Sequence, residues 1–128
     1  MSQKNQVLKS LGKLYKDSYK SGLIKNFSKK LDYRIIGMGG SILGARAIYN
    51  FLKPKTKKFY FMDNFKNFDS KKILKKDRLN LIISKSGSTL ETISNSNIFI
   101  NKNDSNVFIT ENKQSYLMDL AKKLKGEV

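Results

Sequence analysis

Four short apolar runs alternate with stretches of helical spacing along this chain, and no other property of the sequence restricts its fold as much. The runs are Tyr33-Arg34-Ile35-Ile36, Phe59-Tyr60-Phe61-Met62, Leu79-Asn80-Leu81-Ile82-Ile83 and Asn106-Val107-Phe108-Ile109. Each is rich in β-branched or aromatic residues and reads as a strand. Between them, Ser41 to about Leu52 carries Ile42, Leu43, Ala47, Ile48 and Phe51 at helical spacing, with Pro54 just beyond. Asp69-Ser70 is placed to cap a short helix through Leu74. Thr89 to about Ile100 and Ser115 to Leu124 read as two further helices. Lys122, Lys123 and Lys125 lie near the negative end of the last one, and Gly126 follows it. Upstream, Val7, Leu8, Leu11, Leu14 and Tyr15 form one face of a helix over 4–20, and a second helical piece runs from about Leu23 to Lys30.

Strand–helix alternation at this spacing implies a parallel sheet with helices on both faces. The expected fold is α/β: a three-layer αβα, doubly wound sheet of four strands in the order 2-1-3-4. Strands buried on both sides are continuous apolar runs, and these four are read that way. The expected organisation is a helical segment over 1–27 and an α/β domain over 28–128. Gly126-Glu127-Val128 stands where one more strand would start, so the sheet reads as interrupted there. Strand four is then expected to leave an exposed edge or to need a partner chain over it.

Composition removes several kinds of chemistry. There is no cysteine, hence no disulfide, no thiolate metal site and no cysteine nucleophile. There is no histidine, which removes the commonest general base and the commonest metal ligand. No metal and no cofactor are expected. No apolar stretch reaches the roughly 18 residues of a membrane span, and no secretory leader is visible, so a soluble cytoplasmic protein away from membranes is expected.

The net charge of +16 has two readings. A basic chain is a candidate for nucleic-acid binding. Against that, only Arg34, Arg46 and Arg78 are arginines, and the lysines are scattered in pairs between apolar positions, as on a solvated face. Together with abundant Asn, Ile, Phe and Tyr, this is the profile of an A/T-biased genome. Nucleic acid is therefore not the expected partner, although the field raises the on-rate of an anionic metabolite.

Two turns carry the chemistry. Strand three runs into Ser84-Lys85-Ser86-Gly87-Ser88-Thr89, and a helix opens there. The first turn of a helix holds backbone N–H groups without intrahelical partners, and its dipole favours negative charge. Hydroxyls add donors, and Gly87 lets the backbone approach a ligand closely. The product is a cradle for a phosphate. Local readings stand beside it. Ser88 with Glu91 three residues later forms a capping box, Ser84 fits an ST-turn, and Lys85 fits a solvated side chain.

The other turn is Gly37-Met38-Gly39-Gly40-Ser41, directly after strand one. A dinucleotide fingerprint G-x-G-x-x-G fits at Gly37 and Gly39 but meets Ile42 at the last position. Asp63 lies where its ribose-binding acid would be. A P-loop has the right spacing from Gly39 to Gly44, but Ala45-Arg46 replaces the lysine and hydroxyl. A tight strand-to-helix turn without a ligand explains the glycines equally well. The order 2-1-3-4 changes the balance, because strands one and three become neighbours whose connections leave in opposite directions. Ligands bind in the crevice at such a switch point. Ser41, Ser84, Ser86, Ser88 and Thr89 then converge on one anion.

These two motifs in this order resemble those of the glucose-6-phosphate isomerase family, whose sugar isomerase (SIS) domain carries a GxGGS loop after one strand and an SK[ST]xxTxET loop after a later one. The resemblance covers roughly residues 30–128. It implies a flavodoxin-like SIS fold with Ser41, Ser84, Ser86 and Thr89 on the phosphate of a hexose 6-phosphate, and a backbone contribution from Lys85 and Gly87. Ser88 completes the loop, and Gly37, Gly39 and Gly40 line the substrate side. Ser86 stands where many members have threonine, and it keeps the hydroxyl.

The implied activity is aldose–ketose isomerisation of glucose 6-phosphate and fructose 6-phosphate, in glycolysis and gluconeogenesis. The resemblance also implies a glutamate base, a histidine and a lysine for ring opening, and an arginine in a glycine-glycine-arginine motif. All of these belong to motifs outside the matched region. The expectation is an N-terminal SIS half, cut short, that holds the sugar phosphate and is inactive alone. A homodimer or a partner chain is expected in the complete enzyme. A non-catalytic sugar-phosphate-sensing SIS module and a basic nucleic-acid-binding protein are the alternatives.

Overall fold

The computed structural model describes residues 32–55, 58–64 and 78–128, and before them positions 12, 13, 16, 22, 25 and 27. The helices expected over 4–20, from Leu23 to Lys30 and from Asp69 through Leu74 fall wholly or mostly outside the described residues, as does the separate segment expected over 1–27.

The elements are β1 (Asp32–Gly37), α1 (Gly40–Leu52), β2 (Lys58–Met62), β3 (Arg78–Ile83), α2 (Leu90–Phe99), β4 (Ser105–Ile109) and α3 (Tyr116–Leu124). A 3-10 turn, Lys53–Lys55, follows α1 directly. All four strands are parallel and lie in the order β2-β1-β3-β4. The switch point expected from the alternation is therefore present between β1 and β3. The connection from β1 to β2 runs one way along the sheet and that from β3 to β4 the other. Right-handed crossovers then place α1 and α2 on opposite faces.

Register assigns the faces. Ile36 lies opposite both Met62 and Ile82, and Ile82 lies opposite Phe108. With a side-chain period of two, these residues share one face. They form the core with Ile100, Leu117 and Ala121, and Ile93, Phe99, Leu120 and Leu124 pack against it from α2 and α3. Burying each large member contributes about 1.5–3 kcal/mol. The other face carries Tyr33 stacked on Phe59 at 4.7 Å. Tyr49 of α1 rests on Phe59 and Phe61 at 5.3 and 5.5 Å. The result is a three-layer αβα, doubly wound sheet.

One expectation needs correction. The strands are not apolar throughout: Asp32, Arg34, Arg78, Asn80 and Asn106 are all buried near the N-terminal ends of the strands. Asn80 Nδ2 donates to Asn106 Oδ1 at 2.7 Å and to Asp104 Oδ2 at 3.1 Å, and Asn106 Nδ2 donates to the Asn101 carbonyl at 3.0 Å. Arg34 donates to the Phe99 carbonyl and lies over that ring. Burial, and the neighbouring Arg78, push its guanidinium down to about 10. Arg78 lies over the Tyr60 ring and is ion-paired with Asp32 at 3.9 Å. Hydrogen bonds, stacking and this ion pair offset part of the cost of burying these groups, although Asp32 Oδ2 and Asn80 Oδ1 have no hydrogen-bond partner among the described residues.

Gly126 follows α3 as expected, and the residue with left-handed backbone is Lys125 (φ 53°). Gly126 meets a packing need, since a Cβ there would lie 2.6 Å from the Phe108 ring. Beyond it, Glu127 forms an isolated parallel bridge with Val107 of β4. The Phe108 N–H donates to the Glu127 carbonyl at 2.8 Å, and the Glu127 N–H to the Asn106 carbonyl at 3.0 Å. One bridge thus covers part of the β4 edge.

Candidate functional site

The β1 and β3 turns leave the same end of the sheet side by side. Gly37 pairs with Ile83, and a Cβ on Gly37 would lie 2.9 Å from the Ile83 carbonyl oxygen. Only glycine permits that approach. The turn then passes Met38 and Gly39, whose φ of 54° is left-handed, and α1 begins at Gly40. No side chain caps this helix. Ser41 sits half-buried in its first turn, its N–H donating to the Met38 carbonyl at 3.2 Å. A Cβ at Gly39 or Gly40 would meet nothing within 4 Å, so the space over this turn is open.

The β3 turn folds on its own hydroxyls. Ser84, 2% exposed, anchors it. The Ser84 and Thr89 hydroxyls lie 3.0 Å apart, and the Thr89 and Ser86 hydroxyls 3.5 Å apart. The Gly87 N–H donates to Ser84 Oγ at 3.2 Å, and the Ser88 N–H to Ser86 Oγ at 3.2 Å. Gly87 has a left-handed φ of 67°. Three hydroxyls and two amides therefore crowd around one bend at the start of α2. Ser86 and Ser88 face solvent, and Ser84 and the Gly87 amide lie behind them. Such a set of short donors beside a helix N-terminus suits a tetrahedral oxyanion.

Lys85 is largely exposed and ion-paired with Glu111 at 3.8 Å. Glu111 also meets Lys113 Nζ at 2.7 Å, and its carboxyl is held below the usual range by Lys113 first and Lys85 second. Ser41 makes no hydrogen bond to the β3 turn among the described residues. Asp63, a candidate ribose-binding acid by its position in the sequence, is held by Arg46 at 2.7 Å. That ion pair accounts for it without a ligand.

The capping box is overturned. The N-cap of α2 is Thr89, one residue later than Ser88, and no side chain caps the helix. The Thr89 hydroxyl is turned toward Ser84 and Ser86, so the hydroxyl cluster outcompetes the local cap. Thr110, Glu111 and Ser115, which follow β4, join the site without any expectation from the sequence. A Cβ at Gly87 would lie 2.2 Å from Ser115 Oγ and 2.9 Å from Thr110 Oγ1. The signal that could have found them is a second pair of hydroxyls flanking a strand-to-helix turn, which by itself marks only a helix start.

Among the described residues no group of three or more His, Cys, Asp or Glu is placed to hold a metal ion. No helix among them is long and apolar enough to cross a membrane.

No protein-family model matches the chain. Curated proteins do. The glucose-6-phosphate isomerase of Methanocaldococcus jannaschii is 52% identical over 65 residues, which is 48% of this chain and 16% of that protein. That of Borrelia garinii subsp. bavariensis is 35% identical over 113 residues, 78% of this chain and 21% of that protein. That of Treponema denticola is 37% identical over 92 residues, 65% and 18% of the two chains. The chain spans about a fifth or less of the length of these relatives.

Two solved structures share the fold. A hypothetical protein of Thermus thermophilus superposes with a TM-score of 0.66 at 22% identity, over 80% of this chain and 28% of that one. The NanR protein of Vibrio vulnificus, solved in complex with ManNAc-6P, gives a TM-score of 0.56 at 21% identity, over 77% and 38%. Over the segment it shares with its curated relatives, the chain belongs to the glucose-6-phosphate isomerase family.

Proposed function

We propose that this chain supplies the phosphate-binding segment of a cytoplasmic glucose-6-phosphate isomerase. The observation that carries this reading is the knot of Ser84, Ser86 and Thr89 hydroxyls with the Gly87 and Ser88 amides, placed at the β1/β3 switch point beside an open glycine turn. The phosphate of a hexose 6-phosphate takes over the hydrogen bonds that these groups now make to one another. Lys85 adds charge at the rim, and the first turn of α1, with Ser41, closes the second side. Gly37, Gly39 and Gly40 leave room for the sugar.

Isomerisation between glucose 6-phosphate and fructose 6-phosphate needs a base for the proton shift and an acid at the ring oxygen. Among the described residues, the carboxylates near the turn are Glu91 in the first turn of α2, Glu111, paired with two lysines, and Asp63, paired with Arg46. The resemblance puts the base, the histidine and the arginine in motifs outside the matched region. The chain alone is therefore expected to bind without turnover, with catalytic groups from elsewhere in the complete enzyme, a homodimer or an assembly with a partner chain.

Calorimetry with glucose 6-phosphate tests the assignment. A hydrogen bond to a charged group is worth about 1.5–3 kcal/mol, so Ser86→Ala or Thr89→Ala is expected to weaken binding by about tenfold or more. Equal affinity for the parent chain and both variants would remove the turn from the site.

A further inference from the structure

The anion-binding turn has a back as well as a front, and its backbone is fixed from behind. The turn after β4 supplies the fixings. The Lys85 carbonyl accepts the Glu111 N–H at 3.1 Å and the Thr110 hydroxyl at 3.4 Å. The Gly87 carbonyl accepts the Leu117 N–H at 3.1 Å, and the Ser84 N–H donates to the Ile109 carbonyl at 3.0 Å. A trans peptide unit points its carbonyl and its N–H in opposite directions. Holding the Lys85 and Gly87 carbonyls against the β4 side therefore turns the N–H groups of Ser86 and Ser88 to the front. The Ser88 N–H does point there, toward Ser86 Oγ at 3.2 Å.

The contact behind Gly87 is tight. A Cβ on it would lie 2.2 Å from Ser115 Oγ, 2.7 Å from Ser115 Cβ and 2.9 Å from Thr110 Oγ1. Ser115 is 8% exposed, and its buried hydroxyl has no hydrogen-bond partner among the described residues. Although it is the N-cap residue of α3, its side chain does not cap that helix. What Ser115 supplies is contact against Gly87.

We propose that Thr110 and Ser115 are positioning residues for the anion site: they clamp Lys85 to Gly87 from behind, so that the Ser86 and Ser88 amides face an incoming phosphate monoester. The inference rests on the phosphate reading given above. Thr110 and Ser115 act through the turn and do not touch the ligand.

Variants of the whole chain separate the clamp from a plain requirement for left-handed backbone. Gly87→Ala is expected to weaken glucose 6-phosphate binding by at least about tenfold, the loss of one charged hydrogen bond or more. It also speeds amide exchange at Glu111 and Leu117 as the two turns are pushed apart. Thr110→Val with Ser115→Gly leaves residue 87 a glycine and removes the groups that hold the turn from behind. This double variant is expected to weaken binding by about threefold or more and to speed the same exchange. If it binds like the parent chain, the clamp is overturned and glycine is needed only for its φ. Unchanged exchange at Glu111 and Leu117 in Gly87→Ala overturns it independently of any ligand. Loss of the phosphate reading shows differently, as a Ser86→Ala variant that binds like the parent chain while the exchange arm still behaves as expected.

Discussion

At the scale of single residues, the side chain most at odds with its setting is Lys85. It extends from the turn proposed to bind a phosphate, yet it is paired with Glu111, which adds negative charge beside the proposed site. Glu111 is in turn neutralised mainly by Lys113. Glu111→Gln should release Lys85 and remove a like charge. Exposed pairs of this kind carry small energies, so binding of glucose 6-phosphate at low salt is expected to strengthen by only about two- to fivefold. Calorimetry reads this directly, and a weaker or unchanged affinity would mean that Lys85 stays out of the site. The carboxyl's lowered pKa gives the sign of the pH effect. The pair's contribution to the turn is present above the ordinary carboxylate range and fades as pH falls through the lowered value. Acid below the ordinary carboxylate range should therefore loosen the 85–111 contact, visible as a lower protection factor of the Glu111 amide once the intrinsic pH dependence of exchange is removed.

At the scale of elements, the strands and helices were legible because their signals are short-range and redundant. A run such as Leu79 to Ile83 has β-branched and large apolar residues and ends in a polar turn. No helix-period reading competes with it. What misled was chemistry that depends on a neighbour. Ser88 and Glu91 have the spacing of a capping box, but the hydroxyls of Ser84 and Ser86 lie near enough to draw Thr89 to them, and the helix starts one residue later. Arg34 and Asn80 sit inside runs that read as apolar, because the partners that satisfy them, Phe99 and Asn106, lie far along the chain. At the end of α3 the sequence places Gly126 correctly after the helix but not the reason for it: the left-handed position is Lys125, and the glycine makes room for Phe108. Two substitutions test this division of roles. Gly126→Ala presses on a core ring and a backbone oxygen and is expected to cost roughly 1–3 kcal/mol. Lys125→Gly relieves a left-handed side-chain residue and is expected to add about 0.5–1 kcal/mol, net of the entropy glycine gains in the unfolded chain. Urea denaturation measures both. A stabilised Gly126→Ala variant, or a destabilised Lys125→Gly variant, would reverse the assignment.

At the scale of the whole molecule, two opposing forces govern how copies meet. The outward face of α1 carries Leu43, Ile48 and Phe51, the last 86% exposed, and Ile109 is exposed on β4. An apolar stripe along one helix gains by being covered. The net charge of +16 holds copies apart. Salt decides between them, because the screening length shrinks from about 10 Å at 0.1 M to about 3 Å at 1 M while apolar contact is not weakened. Sedimentation is therefore expected to show the smallest average mass at low salt and growing self-association as salt rises. Leu43→Lys with Phe51→Lys should abolish that growth, since charge replaces the stripe at its two ends. The same salt series separates apolar self-contact from polyanion binding. Affinity for a nucleic acid falls steeply with salt as counterion release loses its value, the opposite trend. Mass that declines with salt, or that grows equally in the doubly substituted chain, would show that α1 is not the face through which copies meet.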